Sequence, residues 1–263
     1  MKKLILCVLY AALTLPVLAT AQSALDGTWK VDLTKTQLPK KPDVYVLQHG
    51  TYDCKTCVPP IRVKADGELH AVSGHPYYDQ LAVKILDDHS VATTRSKSGK
   101  TVSTEKVTVS ADGSTAHIEF SDSSATNAAP VTGTTEQTRV AKGPAGSHAI
   151  SGSWRTDKLA DFSDNGLTIT YKTQGDVLTM TTPTGQSYAA KVDGTFAPYM
   201  GDPGTTSVAI HRIDKHTFQE TDKRDDKVIG VARMSVAANG TSLKIVVHDT
   251  EHGTTTTFVA AKQ

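Results

Sequence analysis

The sequence predicts an all-β protein made of two tandem antiparallel up-and-down β-barrels. Three observations predict this fold: an internal repeat, an alternation of apolar and polar residues, and tight-turn dipeptides between the alternating segments. Residues 66–122 align without a gap with residues 193–249, so that Asp66-Gly67 falls on Asp193-Gly194. Most matched positions are turn residues or alternating apolar residues, and the repeat therefore indicates a shared scaffold rather than a shared active site.

The strands are predicted by apolar side chains at every second position. Residues 81–85 and 107–110 show this alternation, and residues 208–210 repeat it in the second copy. Between such segments lie dipeptides such as Asp112-Gly113, which supply the positive φ that a tight hairpin needs. Roughly eight or nine short strands in each copy form a meander, and closing that meander into a barrel removes its exposed edges.

The first residues have the layout of a cleaved secretory signal. Lys2 and Lys3 precede an apolar run over residues 4–18, and small residues follow before Gln22. We therefore expect residues 1–21 to be removed and the mature protein to be exported to the periplasm or secreted. The later sequence contains no other apolar run long enough for a membrane helix, so no membrane span is predicted.

The two copies define the predicted domains. The first barrel module is expected over residues 22–141 and the second over residues 150–263, and each opens with the pattern Gly-x-Trp followed by a basic residue. Between them, residues 142–149 are rich in Gly, Pro and Ser, which is typical of a linker. The chain is thus expected to form two barrels of ordinary domain size.

Charge and motifs exclude several classes of function. The chain has 28 Lys and Arg against 27 Asp and Glu, mixed along its length, so no basic surface for nucleic acid is predicted. The sequence also contains no G-x-S-x-G elbow, no H-E-x-x-H motif and no glycine-rich phosphate loop after a strand. We therefore expect a protein that is not an enzyme, has no catalytic residues and has no cofactor.

The Gly-x-Trp openings, together with a basic residue near the end of each module, resemble the lipocalin and wider calycin barrels. The motifs are Gly27-Thr28-Trp29 and Gly152-Ser153-Trp154, and the late basic residues are Arg139 and Lys262. The resemblance implies that each Trp closes one end of a barrel beneath a basic side chain, with Arg139 over Trp29 and Lys262 over Trp154. The chain is also similar to a group of exported bacterial proteins built from one or two such modules.

Cys54 and Cys57 are the only cysteines left after the predicted export. An exported C-x-x-C pair is most simply a local disulfide. A redox pair would need a thiolate with a lowered pKa, usually at a helix N-terminus, and the following Val-Pro-Pro segment is extended instead. A metal site is the third interpretation, because His49 precedes the pair and His70 and His75 follow it, although their spacing matches no standard zinc module.

The segment His75-Pro76-Tyr77-Tyr78 is denser in functional side chains than its counterpart in the second copy, and it is a candidate binding surface or a cover for a barrel mouth.

The leading hypothesis is an exported, non-enzymatic binding or envelope-associated protein, whose partner would be a small hydrophobic molecule as the resemblance implies. The alternatives are a periplasmic redox or metal-binding protein centred on Cys54 and Cys57, and an interaction scaffold without a ligand. The sequence is compatible both with hollow and with packed barrels.

Overall fold

A computed structural model describes residues 23–125 and 129–263 of the chain. The predicted signal peptide and Cys7 lie outside these residues. Apart from two short 3₁₀ helices, Leu33–Lys35 and Asp164–Gly166, the regular structure consists of antiparallel strands. The strands of the first half are β1 (Gly27–Val31), β2 (Asp43–Gln48), β3 (Thr51–Cys54), β4 (Ile61–Lys64), β5 (His70–Ala71), β6 (Gln80–Ile85), β7 (Ser90–Lys97), β8 (Lys100–Val109), β9 (Thr115–Asp122) and β10 (Val131–Lys142). Those of the second half are β11 (Gly152–Ala160), β12 (Thr168–Gln174), β13 (Val177–Thr181), β14 (Ser187–Lys191), β15 (Asp193–Met200), β16 (Ser207–Arg212), β17 (Thr217–Arg224), β18 (Lys227–Val236), β19 (Ser242–Asp249) and β20 (Thr254–Lys262).

The strands form two ten-stranded antiparallel sheets, which confirms the predicted all-β fold. One sheet has the order β4-β3-β2-β11-β10-β9-β8-β7-β6-β5 and is called the first barrel below. The other is a closed barrel, β1-β12-β13-β14-β15-β16-β17-β18-β19-β20, and is called the second barrel. Each barrel encloses its own cluster of buried apolar side chains.

The two halves of the chain exchange their first strands. β1 pairs with β12 and β20 in the second barrel, whereas β11 pairs with β10 and β2 in the first. The cause is local, because residues 142–149 fold back and place Lys142 opposite Gly152, so β10 and β11 form a hairpin. The segment that the sequence suggests as an interdomain linker is therefore the loop between two paired strands, and the sheets do not follow the predicted boundary.

The strand exchange also changes which basic residue covers which Trp. The Arg139 guanidinium lies 3.9 Å from the centre of the Trp154 ring, and the Lys262 ammonium lies 5.2 Å from that of Trp29. The expected pairs, Arg139 with Trp29 and Lys262 with Trp154, are wrong because each Trp belongs to the barrel formed mainly by the other half. The kind of contact, a cation over a buried indole, is the one that the resemblance implies.

The ends of both barrels are built alike around these indoles. Trp29 donates a 2.8 Å hydrogen bond from its ring nitrogen to the carbonyl of Leu25, and Trp154 donates an equal one to Ile150. Both rings are fully buried, so these bonds satisfy the polar atom of each indole. Arg139 in addition donates hydrogen bonds to the carbonyls of Gly113, Ala149 and Ser151, which ties the Trp154 end to the loop before β11.

The first barrel differs from the second at one seam. In the second barrel, β14 pairs with β15 through Tyr188 and Tyr199. In the first, β4 and β5 are the two end strands of the sheet, and two prolines, Pro59 and Pro60, precede β4. Proline has no backbone N–H to donate, which explains why the ladder does not continue there. A single bridge between Asp66 and Lys84 joins the chain after β4 to β6.

Candidate functional site

Cys54 and Cys57 form a disulfide, which confirms the simplest interpretation of the pair. Cys54 ends β3 and is buried in the core of the first barrel, with 1% of its surface exposed. Between the two cysteines, the Thr56 hydroxyl accepts a 3.0 Å hydrogen bond from the Val44 amide. The disulfide loop is thereby fastened to the start of β2.

The metal interpretation of this region finds no geometric support. Both cysteine sulfurs are used in the disulfide, so neither is a thiolate ligand. His70 instead places its Nε2 atom 2.8 Å from a carboxylate oxygen of Asp66, and His49 lies in the turn between β2 and β3. In the described ranges, no group of three or more His, Cys, Asp or Glu side chains is placed to hold a metal ion.

Of the three residues of the candidate surface, His75 and Tyr78 lie together, whereas Tyr77 lies apart from them. The rings of His75 and Tyr78 stack with centroids 4.9 Å apart, and the Arg95 guanidinium lies 5.5 Å from the Tyr78 ring. Tyr77 instead turns towards the second barrel and packs against Gly204. Burial and the neighbouring Asp202 raise the pKa of its phenol. Tyr77 is thus part of the contact between the barrels rather than of a common surface with its neighbours.

The second barrel contains two inward-facing carboxylic acids that sequence reasoning missed. Glu220 and Asp222 occupy alternate positions of β17 and so share one face of the sheet. Tyr188 donates a 2.5 Å hydrogen bond from its hydroxyl to Glu220. One carboxylate oxygen of Asp222 is buried without a hydrogen-bond partner among the described residues. Burial raises the pKa of Glu220, and burial together with Glu220 and Asp202 raises the pKa of Asp222 to about 8.

An apolar pocket of about 400 Å³ opens beside the core of the second barrel. One wall comes from strands β1, β12, β19 and β20, and its residues Val31, Ile169 and Ile245 also pack against the barrel's core cluster. The opposite wall comes from the 3₁₀ helix after β1, from the end of β11 and from the chain that leads to β12. The apolar side chains that line the pocket are Val31, Ile169, Ile245 and Phe258 on the barrel, and Leu33, Leu159, Phe162 and Leu167 opposite them.

The strand exchange creates this pocket. Leu159 lies near the end of β11, where it is still the register partner of Thr135 in the first barrel, and Phe162 follows that strand. Both line the pocket of the second barrel because the chain must cross back to begin β12. The Phe162 ring is held by an edge-to-face contact with Phe120, whose centroid is 5.1 Å away. The sequence alternation marks Ile245 and Phe258 as inward-facing, but nothing in it shows that Phe162 would cover them.

No helix within residues 23–125 and 129–263 is long and apolar enough to cross a membrane. A comparison of the chain with protein-family models and with curated proteins finds no match.

Proposed function

We propose that the protein is an exported, non-enzymatic binding protein that carries a small hydrophobic molecule in the apolar pocket of the second barrel. The observation that supports it most is the pocket itself, whose volume of about 400 Å³ falls in the range of ordinary small-molecule sites. Export is supported by the signal-like N-terminal sequence and by the disulfide, a bond that persists in oxidising compartments.

The lining of the pocket explains the proposed ligand class. Apart from Gly166, Thr168 and Thr182, the described residues that line the pocket are aliphatic or aromatic. When an apolar molecule enters such a pocket, no charged group loses its hydration. Burial of apolar surface contributes about 25 cal/mol of binding free energy for each Å². A charged or strongly polar ligand would lose hydration here without gaining hydrogen bonds.

The same lining supports a role in binding rather than catalysis. General acid–base chemistry needs a titratable side chain within hydrogen-bond reach of the ligand. Among the described residues that line this pocket, none carries an ionisable group. The redox alternative receives less support, because Cys54 is buried, whereas a reactive cysteine must be accessible.

The test is a titration with a fluorescent apolar probe, N-phenyl-1-naphthylamine, followed by a panel of lipids and isoprenoids in competition with it. Leu33→Glu places a carboxylate on the pocket wall, and we expect it to weaken probe binding by at least about tenfold, since it removes an apolar contact and adds a charge that must be desolvated. Met200→Glu is the matched control, because Met200 belongs to the same barrel and is 60% exposed. Failure of every apolar compound to bind, or equal loss in both variants, would refute the proposal.

A further inference from the structure

The interior of the first barrel contains a separate chamber of about 200 Å³. Its apolar walls include Tyr45, Tyr52, Phe120 and Trp154, and the rings of Tyr45 and Tyr52 lie nearly parallel with centroids 6.1 Å apart. An apolar cavity of roughly 150 Å³ is sufficient to bind benzene. The chamber therefore has room for one six-membered ring with small substituents.

Besides the tyrosines, four polar side chains line this aromatic chamber: Thr93, Glu105, Thr135 and Gln137. Thr93 is 95% buried, being only 5% exposed, and its hydroxyl has no hydrogen-bond partner in the part of the chain that the structure describes. Glu105 lies directly opposite Thr93 across the β7–β8 ladder. Gln137 is 6% exposed and donates a 3.2 Å hydrogen bond from its amide nitrogen to Thr156. A buried hydroxyl without a partner is costly, so a group that pairs with it from the chamber would be favoured.

The charge inside the chamber is balanced. The carboxylate of Glu105 lies 3.7 Å from the guanidinium of Arg95, which is itself held over the Tyr78 ring. The positive charge of Arg95 and the negative charge of Glu105 offset each other, so the chamber favours a neutral ligand over an anion or a cation. The carboxylate oxygens nevertheless remain strong acceptors for a hydroxyl donor.

This polar set belongs to the first barrel alone. In the repeat, Thr93, Arg95 and Glu105 correspond to Glu220, Asp222 and Ala232 of the second barrel. There, Glu220 already accepts a hydrogen bond from Tyr188. The chamber is thus not a feature that the scaffold imposes on both barrels, and the two interiors present different chemistry.

From these observations we infer that the first barrel is a second binding site, which takes a small neutral aromatic ring bearing a hydroxyl group. The ring would pack among Tyr45, Tyr52 and Phe120. Its hydroxyl would donate to Glu105 and accept from Thr93, which gives the unpartnered Thr93 hydroxyl an acceptor. This site differs in place and in ligand class from the apolar pocket of the second barrel.

The test compares phenol and resorcinol with benzene, by NMR titration of the complete mature protein. We expect the hydroxylated rings to bind about tenfold tighter than benzene, the effect of one well-made hydrogen bond in a buried site. Thr93→Val keeps the shape of the side chain and removes its hydroxyl, so phenol affinity should fall by roughly tenfold while benzene affinity is retained. Thr94→Val is the control, because alternation places Thr94 on the other face of β7.

A second measurement tests whether the Thr93 hydroxyl serves a ligand or stabilises the fold. Without ligand, Thr93→Val should melt at the same temperature as the wild type or higher, since it replaces an unpartnered buried hydroxyl by a methyl group. A lower melting temperature would mean that Thr93 has a structural partner. Equal affinities for phenol and benzene, a Thr93→Val variant with unchanged phenol affinity, or no saturable binding would each overturn the inference. If N-phenyl-1-naphthylamine still binds in that case, the proposed function survives without the second site.

Discussion

Asp222 carries an acidic group into the interior of the second barrel, where water cannot stabilise its charge. Its strand neighbour on the same face is another acid, Glu220, and Asp202 is close enough to add to the repulsion. The surrounding phenols, Tyr171 and Tyr199, have pKa values that are themselves raised by burial, so they remain neutral. Burial and like charge act in the same direction here, and together they raise the pKa of Asp222 from 3.8 to about 8.

This shift predicts that the protein loses stability as the pH rises. Between pH 4 and pH 8 the folded state holds a proton on Asp222 that the unfolded state has released. The stabilisation that is fully present below pH 4 is therefore lost progressively over this range, and it is gone once the pH has passed through 8. Asp222→Asn is neutral at every pH, and its melting temperature relative to the wild type should therefore increase with pH. From pH 5 to pH 9 we expect the difference in melting temperature between Asp222→Asn and the wild type to grow in favour of the variant by at least roughly 2–4 °C, which corresponds to about 1 kcal/mol.

Thermal unfolding followed by circular dichroism between pH 5 and pH 9 measures this difference. Asp88→Asn provides the control, since Asp88 lies on an exposed turn between β6 and β7. A constant difference between Asp222→Asn and the wild type over the whole pH range would show that Asp222 does not hold an extra proton in the folded state.

The disulfide at Cys54 and Cys57 closes a very short loop, so its effect on stability should be small. On the loop-entropy account, Cys57→Ser costs no more than about 2 kcal/mol, or a decrease in melting temperature of up to roughly 8 °C. Reductant should lower the melting temperature of the wild type by a similar amount and leave the variant unchanged. If the variant instead keeps its melting temperature but loses a thiol–disulfide exchange activity in an insulin reduction assay, the redox hypothesis replaces the structural one.

At the level of strands, β1 and β11 share the pattern Gly-x-Trp followed by a basic residue, and the chain around them decides which barrel each one completes. Each contributes a buried Trp to an end closed by a basic side chain. The short connection between Lys142 and Gly152 decides the outcome, because it makes β11 the hairpin partner of β10. β1 then completes the second barrel between β12 and β20.

An engineered disulfide tests this arrangement directly. Lys30 on β1 is the register partner of Ala261 on β20, so Lys30→Cys combined with Ala261→Cys should form a disulfide in high yield. If the strands were not exchanged, β1 would take the place of β11 beside β10. Lys30 follows Trp29 as Arg155 follows Trp154, so Lys30 would then lie opposite Thr138, which is the register partner of Arg155. Lys30→Cys combined with Thr138→Cys is therefore the matched control. A disulfide in this second pair, with free thiols in the first, would contradict the exchange.

The strands themselves could be predicted from the sequence, but their partners could not. Alternation at residues 81–85 and the turn at Asp112-Gly113 are local signals, and both features appear where they were expected. The exchange of β1 is a choice between two strands that open with the same Gly-x-Trp pattern, and that pattern does not specify which barrel each strand joins. The site shows the same limit: the Cys54–Cys57 bond is local and was predicted, whereas Thr93 and Glu105 reveal their role only once β7 and β8 are curved around a shared chamber.

In the molecule as a whole, the exchange joins two chemically different barrels into one unit. The interior of the first is aromatic with a balanced ion pair, whereas that of the second combines an acid pair with an apolar pocket. Contacts outside the sheets also cross between the halves, such as the paired backbone hydrogen bonds of Gln37 with Thr257. Neither barrel is complete when only its own half of the chain is present, so the two should unfold together rather than as independent domains.

Cutting the chain within residues 142–149 tests this dependence. A protease site inserted between Ala145 and Gly146, two exposed residues, would leave β1–β10 on one fragment and β11–β20 on the other. Each barrel would then contain strands of both fragments, and separating them would expose the cores around Trp29 and Trp154. We therefore expect the cut fragments to elute together in size-exclusion chromatography without denaturant, and to separate only in urea, where complete cleavage is verified. Their melting temperature should rise with concentration, because folding now includes an association step. Fragments that elute apart under native conditions and keep their strand content would mean that each half forms a barrel with its own first strand.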